Sequence, residues 1–316
     1  MPRCGGSEKT MKERILVVSS ANVDLILNTD VIPKAGETVI SKGDFAFVAG
    51  GKGANSARLC AALGCDTIFL CRLGDDRHGK RLIELYKKEG IDTRFIELDR
   101  DHPTGMAAVT VCGGESRIIV YPGANTALSP ESVEEAFTTY PDGALVQMEI
   151  PDRAILAAGR FAKKTGAKLV VDAGPAKPGF PFAEMGGIDV FSPNETECVA
   201  YCGISPTTMD SCSRACIELG IKMNAKSVVL KLGERGAFVY DGMYSFMIPA
   251  YQVRAVDPTG AGDAFTAALT ARIIRGDSVE DAARYANAAG AIATTRLGAY
   301  APTDAEIRSL MAEQSE

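Results

Sequence analysis

The sequence predicts an α/β protein: a mainly parallel sheet covered on both faces by helices, three layers in all, with a small β-sheet lid. Two observations carry this. Short apolar runs rich in β-branched residues alternate with helix-length stretches, the pattern of buried parallel strands joined by crossover helices. Two segments, Glu37–Ala49 and Thr104–Tyr121, break that rhythm with a looser alternation that suits solvent-facing antiparallel strands.

The elements follow in order. Ile15–Val18 opens the sheet, and Ile68–Leu70, Ala144–Val146, Leu169–Val171, Ile188–Phe191 and Ser227–Leu230 continue it. Between them the spacing predicts helices over Ala54–Leu63, Gly79–Glu89, Pro151–Thr165, Asn194–Tyr201 and Met209–Leu219. Three further helices, Asp263–Arg275, Ser278–Arg296 and Asp304–Glu313, follow one another and pack on the flank of the sheet. Cys112-Gly113-Gly114-Glu115 supplies a hairpin turn within the second lid segment. Residues 1–12 read as a polar, disordered lead-in, and 13–316 as one domain, since no repeat or Pro/Ser/Gly-rich linker divides them.

The 316 residues are 46% hydrophobic and 23% charged, ordinary for a soluble globular chain. A formal net charge of -6 with dispersed basic residues argues against a nucleic-acid or anionic-membrane partner. No apolar stretch is long enough to span a bilayer, and the start lacks a signal-peptide core. The nine cysteines are scattered without a C-x-x-C pair, so they read as small buried hydrophobes in a reducing cytoplasm. Cys198/Cys202 and Cys212/Cys216 would each share a helix face, the alternative being a metal site.

Chemistry concentrates in a few places. In Asp257-Pro258-Thr259-Gly260-Ala261-Gly262-Asp263 small residues open a helix with a carboxylate at its mouth. The first N–H groups of a helix lack internal partners and carry partial positive charge, and glycines let an anion approach them. Asp263 alone could be an N-cap, but a cap does not require Gly260-Ala261-Gly262 before it. A carboxylate beside a phosphate site is what an attacking hydroxyl needs. Gly50-Gly51-Lys52-Gly53-Ala54-Asn55 is either a ligand cradle, with Lys52 and Asn55 as donors, or a plain Gly-rich turn. It is neither a Walker A loop nor a dinucleotide fingerprint, which disfavours a dehydrogenase. Asn22 and Asp24, just past the first strand, face a ligand crevice or form an Asx turn; Glu149 is placed like them, at the end of the strand Ala144–Met148. Asn194 and Glu197 fit a capping box, and Glu197 could also hold Mg²⁺ through water.

Together, from about Ile15 to Thr303, these motifs resemble the ribokinase-like (PfkB) family of sugar kinases. Gly50–Asn55 looks like the family's first signature, Asp257–Asp263 like its second, and Asn194-Glu195-Thr196-Glu197 like its N-x-x-E magnesium motif. Lys52-Gly53-Ala54-Asn55, Asn22-Val23-Asp24, Pro122-Gly123-Ala124-Asn125 and Gln147-Met148-Glu149 look most like the ribokinase branch.

The resemblance implies the ribokinase-like fold and transfer of the ATP γ-phosphoryl group to the 5-hydroxyl of D-ribose. Asp263 would be the catalytic base, with Gly260, Ala261 and Gly262 forming the anion hole. Asn22, Asp24, Gly51, Lys52, Asn55 and Glu149 would bind sugar hydroxyls. Asn194, Lys231, Gly233, Glu234, Gly236, Gly262 and Asn287 would flank the nucleotide. Glu197 would hold Mg²⁺, and Asp257 and Thr259, with carbonyls of Ala293, Arg296 and Gly298, would hold K⁺. A homodimer paired through the lid is also implied. Three departures from the ribokinase pattern stand out: Pro302 in place of a serine, the run Val171–Ala176, and Ser56 in place of a glutamine. They leave room for a related sugar or nucleoside such as deoxyribose, fructose or inosine, and a non-catalytic sugar-binding regulator is the alternative from another class.

Overall fold

The computed structural model describes residues 12–113 and 115–314. The lead-in expected over 1–12 therefore lies, Lys12 apart, outside the described residues. The first part of the chain runs β1 (Arg14–Val18), β2 (Asn22–Thr29), β3 (Ala46–Gly50), α1 (Lys52–Ala62), β4 (Asp66–Gly74), α2 (Arg77–Lys88), β5 (Ile96–Asp99), β6 (Gly105–Cys112) and β7 (Glu115–Tyr121). The middle runs α3 (Pro130–Phe137), β8 (Gly143–Val146), α4 (Asp152–Thr165), β9 (Lys168–Asp172), β10 (Ile188–Ser192), α5 (Glu195–Cys202) and α6 (Met209–Met223). Then come β11 (Ala225–Lys231), β12 (Ala237–Tyr240), β13 (Ser245–Ile248), α7 (Ala261–Arg275), α8 (Val279–Ala293) and α9 (Asp304–Glu313).

Nine strands form one sheet in the order β13-β12-β11-β10-β9-β8-β1-β4-β5. It is parallel from β11 to β5 and closes with two antiparallel pairs at the β13 edge. Alternate residues of one strand serve opposite cores, as period-two geometry requires. Ile15 and Val17 of β1 pack with α1, α2, α7, α8 and α9. Leu16 and Val18 pack with α3, α4, α5 and α6. This double burial is why the sheet strands read as continuous apolar runs.

The lid is a separate four-stranded sheet, β3-β2-β6-β7. Its make-up corrects two expectations. Residues 37–45 form no strand: they are mostly exposed coil with one bend, and only Ala46–Gly50 joins a ladder. The missing strand is β2, which the sequence reading did not assign; Asn22 and Asp24, expected at a ligand crevice or in an Asx turn, lie in this strand and form no Asx turn. β2 pairs antiparallel with β3 and parallel with β6, while β6 and β7 form the expected hairpin.

Among the described residues no helix is long and apolar enough to cross a membrane. Cys60, Cys65, Cys71, Cys198, Cys212 and Cys216 are buried free thiols.

Candidate active site

The parallel strands point their carboxyl ends at one crevice, where such sheets place ligands. Ser19–Asn22 follow β1, Gln147–Glu149 follow β8, Asp172 ends β9, Asn194 follows β10 and Lys231 ends β11. The lid supplies Asp24 from above, and α1 and α7 supply Lys52, Asn55 and Asp263 from one side.

Two glycine-rich elements make this possible, each for its own reason. In the first, only Gly51 needs a left-handed backbone, at φ 89. Gly50 and Gly53 are required by contact: a Cβ on Gly50 would lie 2.1 Å from an Asp24 carboxylate oxygen, and one on Gly53 2.5 Å from Ser20 O. The loop is therefore glycine-rich largely because β2 and the segment before it press against it. In the second, α7 begins at Ala261, with Gly260 as N-cap at φ 75. Asp263 is thus the third helical residue and caps nothing, which corrects the expectation that the helix starts there. The Ala261 N–H bonds to Pro258 O at 3.2 Å, and among the described residues the N–H groups of Gly262 and Asp263 have no acceptor. A Cβ on Gly262 would meet nothing within 4 Å, so the helix mouth is open.

Asp263 is 5% exposed. Asn55 Nδ2 donates to its Oδ2 at 2.8 Å, and Lys52 Nζ lies 3.5 Å from Oδ1. The Asp263 charge holds the Lys52 ammonium well above the usual lysine range. Glu149 Oε2 accepts from Ser20 Oγ and from the Lys52 N–H, so it anchors the start of α1. It lies three residues past the end of β8, which stops at Val146 as the strand reading Ala144–Val146 expected, short of the Met148 end used to place Glu149. Burial raises its carboxyl, against the Ser20 bond and the Lys52 charge. Asp24 is pushed up to about 6 by burial and by the charges of Glu149 and Asp263, and its Oδ1 has no hydrogen-bond partner among the described residues. Asn22 Oδ1 accepts from Asn125 Nδ2 at 2.8 Å. Of the predicted sugar residues, Lys52 and Asn55 touch Asp263, Asp24 and Glu149 lie within reach of its charge, and Asn22 packs against Gly51 at the start of α1.

Beyond Asp263 lie two cavities. One of about 330 Å³ is lined by Lys52, Asp172, Asn194, Glu197, Lys231 and Gly262, among others. The other, about 540 Å³, is lined by Lys231, Gly233, Glu234, Gly236, Phe265 and Asn287, among others. Asn194 lines the first cavity and not the larger one. Asn194 and Glu197 form the expected capping box on α5. Glu197 Oε2 accepts the Asn194 N–H at 2.8 Å, while Oε1 lies against Gly174, where a Cβ would be 2.3 Å away. Burial raises the Glu197 carboxyl, opposed by the Lys231 charge. A half-satisfied carboxylate beside an anion groove fits a hydrated divalent cation. A still larger cavity of about 680 Å³ is lined by the lid, α2 and Leu297–Ala299, and Asp263 is not among its lining residues.

Asp257 joins two loops: Oδ1 accepts the Thr259 N–H at 2.9 Å and Oδ2 the Gly298 N–H at 2.8 Å. Burial alone would raise its carboxyl, but those bonds hold it below the usual carboxylate value. The carbonyls of Ala293, Arg296 and Gly298 accept no hydrogen bond among the described residues, which suits a cation with oxygen ligands. Thr303, next to Pro302, is occupied as the N-cap of α9.

Asn125, Asp172 and Thr266 join the site although sequence reasoning gave them no role. Asn125 stood in a tetrapeptide read only for resemblance, and Asp172 in a run read only as a departure.

Residues 12–306 match the pfkB family carbohydrate kinase profile. A ribokinase of Arabidopsis thaliana is 35% identical over 298 residues, covering 90% of this chain and 77% of the relative. A deoxyribokinase of Salmonella typhi is 31% identical over 290 residues, covering 90% of this chain and 93% of the relative. The structure of Arabidopsis thaliana ribokinase complexed with ribose and ATP superposes with a TM-score of 0.85 at 31% identity, covering 96% of this chain and 99% of the other. The chain belongs to the pfkB family of carbohydrate kinases.

Proposed function

We propose that the protein is an ATP-dependent ribokinase that phosphorylates the 5-hydroxyl of D-ribose. The observation that carries this is the Asp263 carboxylate, held by Asn55 and Lys52 beside the free N–H groups of Gly262 and Asp263. The likeness to a ribokinase that holds ribose and ATP supports the choice of sugar.

Ribose lies under the lid, its hydroxyls bonded by Asn22, Asp24, Gly51, Lys52, Asn55 and Glu149. Its 5-hydroxyl donates to Asp263, which takes the proton as the oxygen attacks the γ-phosphorus in line and the bond to the β–γ bridging oxygen breaks, releasing ADP. The Gly262 and Asp263 N–H groups, preorganised at a positive helix end, receive the charge on the transferring phosphoryl group. The nucleoside occupies the cavity of Gly233, Glu234, Gly236 and Asn287, and Lys52 and Lys231 line the phosphate groove. Glu197 would hold Mg²⁺, which would supply neutralisation of phosphate charge there. Asp257, Thr259 and the carbonyls of Ala293, Arg296 and Gly298 would hold K⁺ behind the anion hole. The edge strand β7 exposes Ile118, Ile119, Val120 and Tyr121, an apolar strip suited to lid pairing in a homodimer. We place the protein in the cytoplasm.

Deoxyribose is the second reading, favoured by the deoxyribokinase relative. The two sugars share the 5-hydroxyl and differ only at C2, so the chemistry at Asp263 is the same. A coupled ADP-release assay over ribose, deoxyribose, fructose and inosine, with and without K⁺, tests the proposal. The highest kcat/KM with ribose supports it; preference for another sugar overturns the substrate, and sugar binding without turnover favours a regulator.

A further inference from the structure

Asp172 at the end of β9, Lys231 at the end of β11 and Thr266 in α7 meet in one buried polar cluster. Lys231 Nζ lies 3.0 Å from Asp172 Oδ2 and 3.1 Å from Thr266 Oγ1. Thr266 Oγ1 lies 2.6 Å from the same Asp172 oxygen. Asp172 Oδ1 accepts the Gly174 N–H at 3.1 Å. Asp172 and Thr266 are buried, and the lysine side chain is 12% exposed. Burial pushes the Asp172 carboxyl up, but the Lys231 and Lys52 charges and the hydrogen bonds outweigh it and hold it low.

A buried ion pair is poor evidence for stability, because desolvating two charges offsets much of their attraction. Its position suggests another use. Lys231, Gly233 and Gly262 line both the groove beside Glu197 and the cavity beside Asn287. Lys231 therefore stands where the two cavities meet, on the path of a triphosphate that would join them. Two of its three donors are engaged by Asp172 and Thr266, which leaves one for a ligand. Asp172 itself, bonded on both oxygens, is not the ligand. Thr266 Oγ1 also lies 3.0 Å from Gly262 O, which ties the cluster to the anion-binding turn.

We propose that Asp172 is a positioning residue for phosphoryl transfer: with Thr266 it fixes the Lys231 ammonium at this junction, where the ammonium meets phosphate oxygens of the nucleotide across from the N–H groups of Gly262 and Asp263. This rests on the kinase reading above. A free lysine would lose its rotamer freedom on meeting the nucleotide; a pre-ordered one has lost it already, so binding and transfer are both favoured.

A double-mutant cycle tests this on the full chain, using the sugar that wild type turns over best. Asp172→Asn and Lys231→Met each lower kcat/KM for ATP by roughly 30–100-fold and leave the KM for sugar within about two-fold. Because Asp172 acts through the lysine, the double variant is no worse than Lys231→Met alone. Thr266→Val, which removes only a hydroxyl, costs about 3–10-fold and stands in if Asp172→Asn does not fold. Losses that multiply in the double variant overturn the proposal, as does Asp172→Asn or Thr266→Val turning over ATP like wild type. Calorimetric binding of a non-hydrolysable ATP analogue separates the two readings. If wild type neither binds it nor turns over sugar, the kinase reading falls; if wild type binds it and the losses multiply, only the role of Asp172 falls.

Discussion

Asn55 and Asp263 are 208 positions apart in the chain, yet the Asn55 amide donates to the Asp263 carboxylate at 2.8 Å. One residue comes from the first turn of α1, the other from the first turn of α7, and the bond locks the two helix mouths together. It fixes the carboxylate plane, and a base acts well only when its lone pair meets the reacting proton.

Asn55→Leu frees the carboxylate without removing it. The expected result is a fall in kcat of about 10–100-fold with the KM for ATP little changed. Steady-state kinetics with both substrates varied checks it; a change confined to the KM for ATP would contradict it.

The raised Asp24 carboxyl gives a pH signature. Its folded pKa of about 6 stands above the ordinary 3.8, so the folded protein binds the extra proton between those values. Stability contributed by Asp24 is therefore fully present below about 4 and lost as pH rises through about 6. Asp24→Asn should stabilise the sugar-free protein at pH 8 by about 1–3 kcal/mol and change it little at pH 4. Denaturant melts at the two pH values decide the matter, and equal shifts at both would refute the assignment. Sugar affinity should fall in the same variant.

Two glycine substitutions should separate fold from function. A Cβ on Gly53 meets Ser19 and Ser20 at 2.5 Å, whereas one on Gly262 meets nothing. Gly53→Ala should cost about 1–3 kcal/mol of stability through overpacking. Gly262→Ala should keep or slightly raise the melting temperature, since alanine favours helix, while ATP turnover falls as the methyl enters the anion hole. Thermal melts and ATP kinetics on both variants provide the check.

Potassium should raise turnover, and Asp257→Ala should abolish that response while leaving sugar binding intact. Titration of KCl against NaCl at constant ionic strength measures it. An Asp257→Ala variant still stimulated by K⁺ would remove the cation from these loops.

The sheet strands were legible because both their faces are buried, so Leu16 and Val17 alike had to be apolar. β2 was not, because its upper run, Asn22-Val23-Asp24, turns polar side chains toward the crevice and so breaks the apolar pattern. Residues 37–45 looked extended yet lack a ladder, and their exposure removes the pressure that sets a strand's register. Asp263 was legible from glycines that leave space for an anion, and Lys52 and Asn55 from a glycine-rich loop, although Gly50 and Gly53 make room there for β2 and the segment before it. Asp172 was not, since its role depends on Lys231 and Thr266, which reach it only through the fold.

The most direct test of the account is Asp263→Asn, which preserves size and the Asn55 contact but removes the proton acceptor. The account predicts sugar binding within a few-fold of wild type by calorimetry, with kcat reduced by about three or more orders of magnitude. Turnover close to that of wild type in this variant would show that Asp263 is not the base.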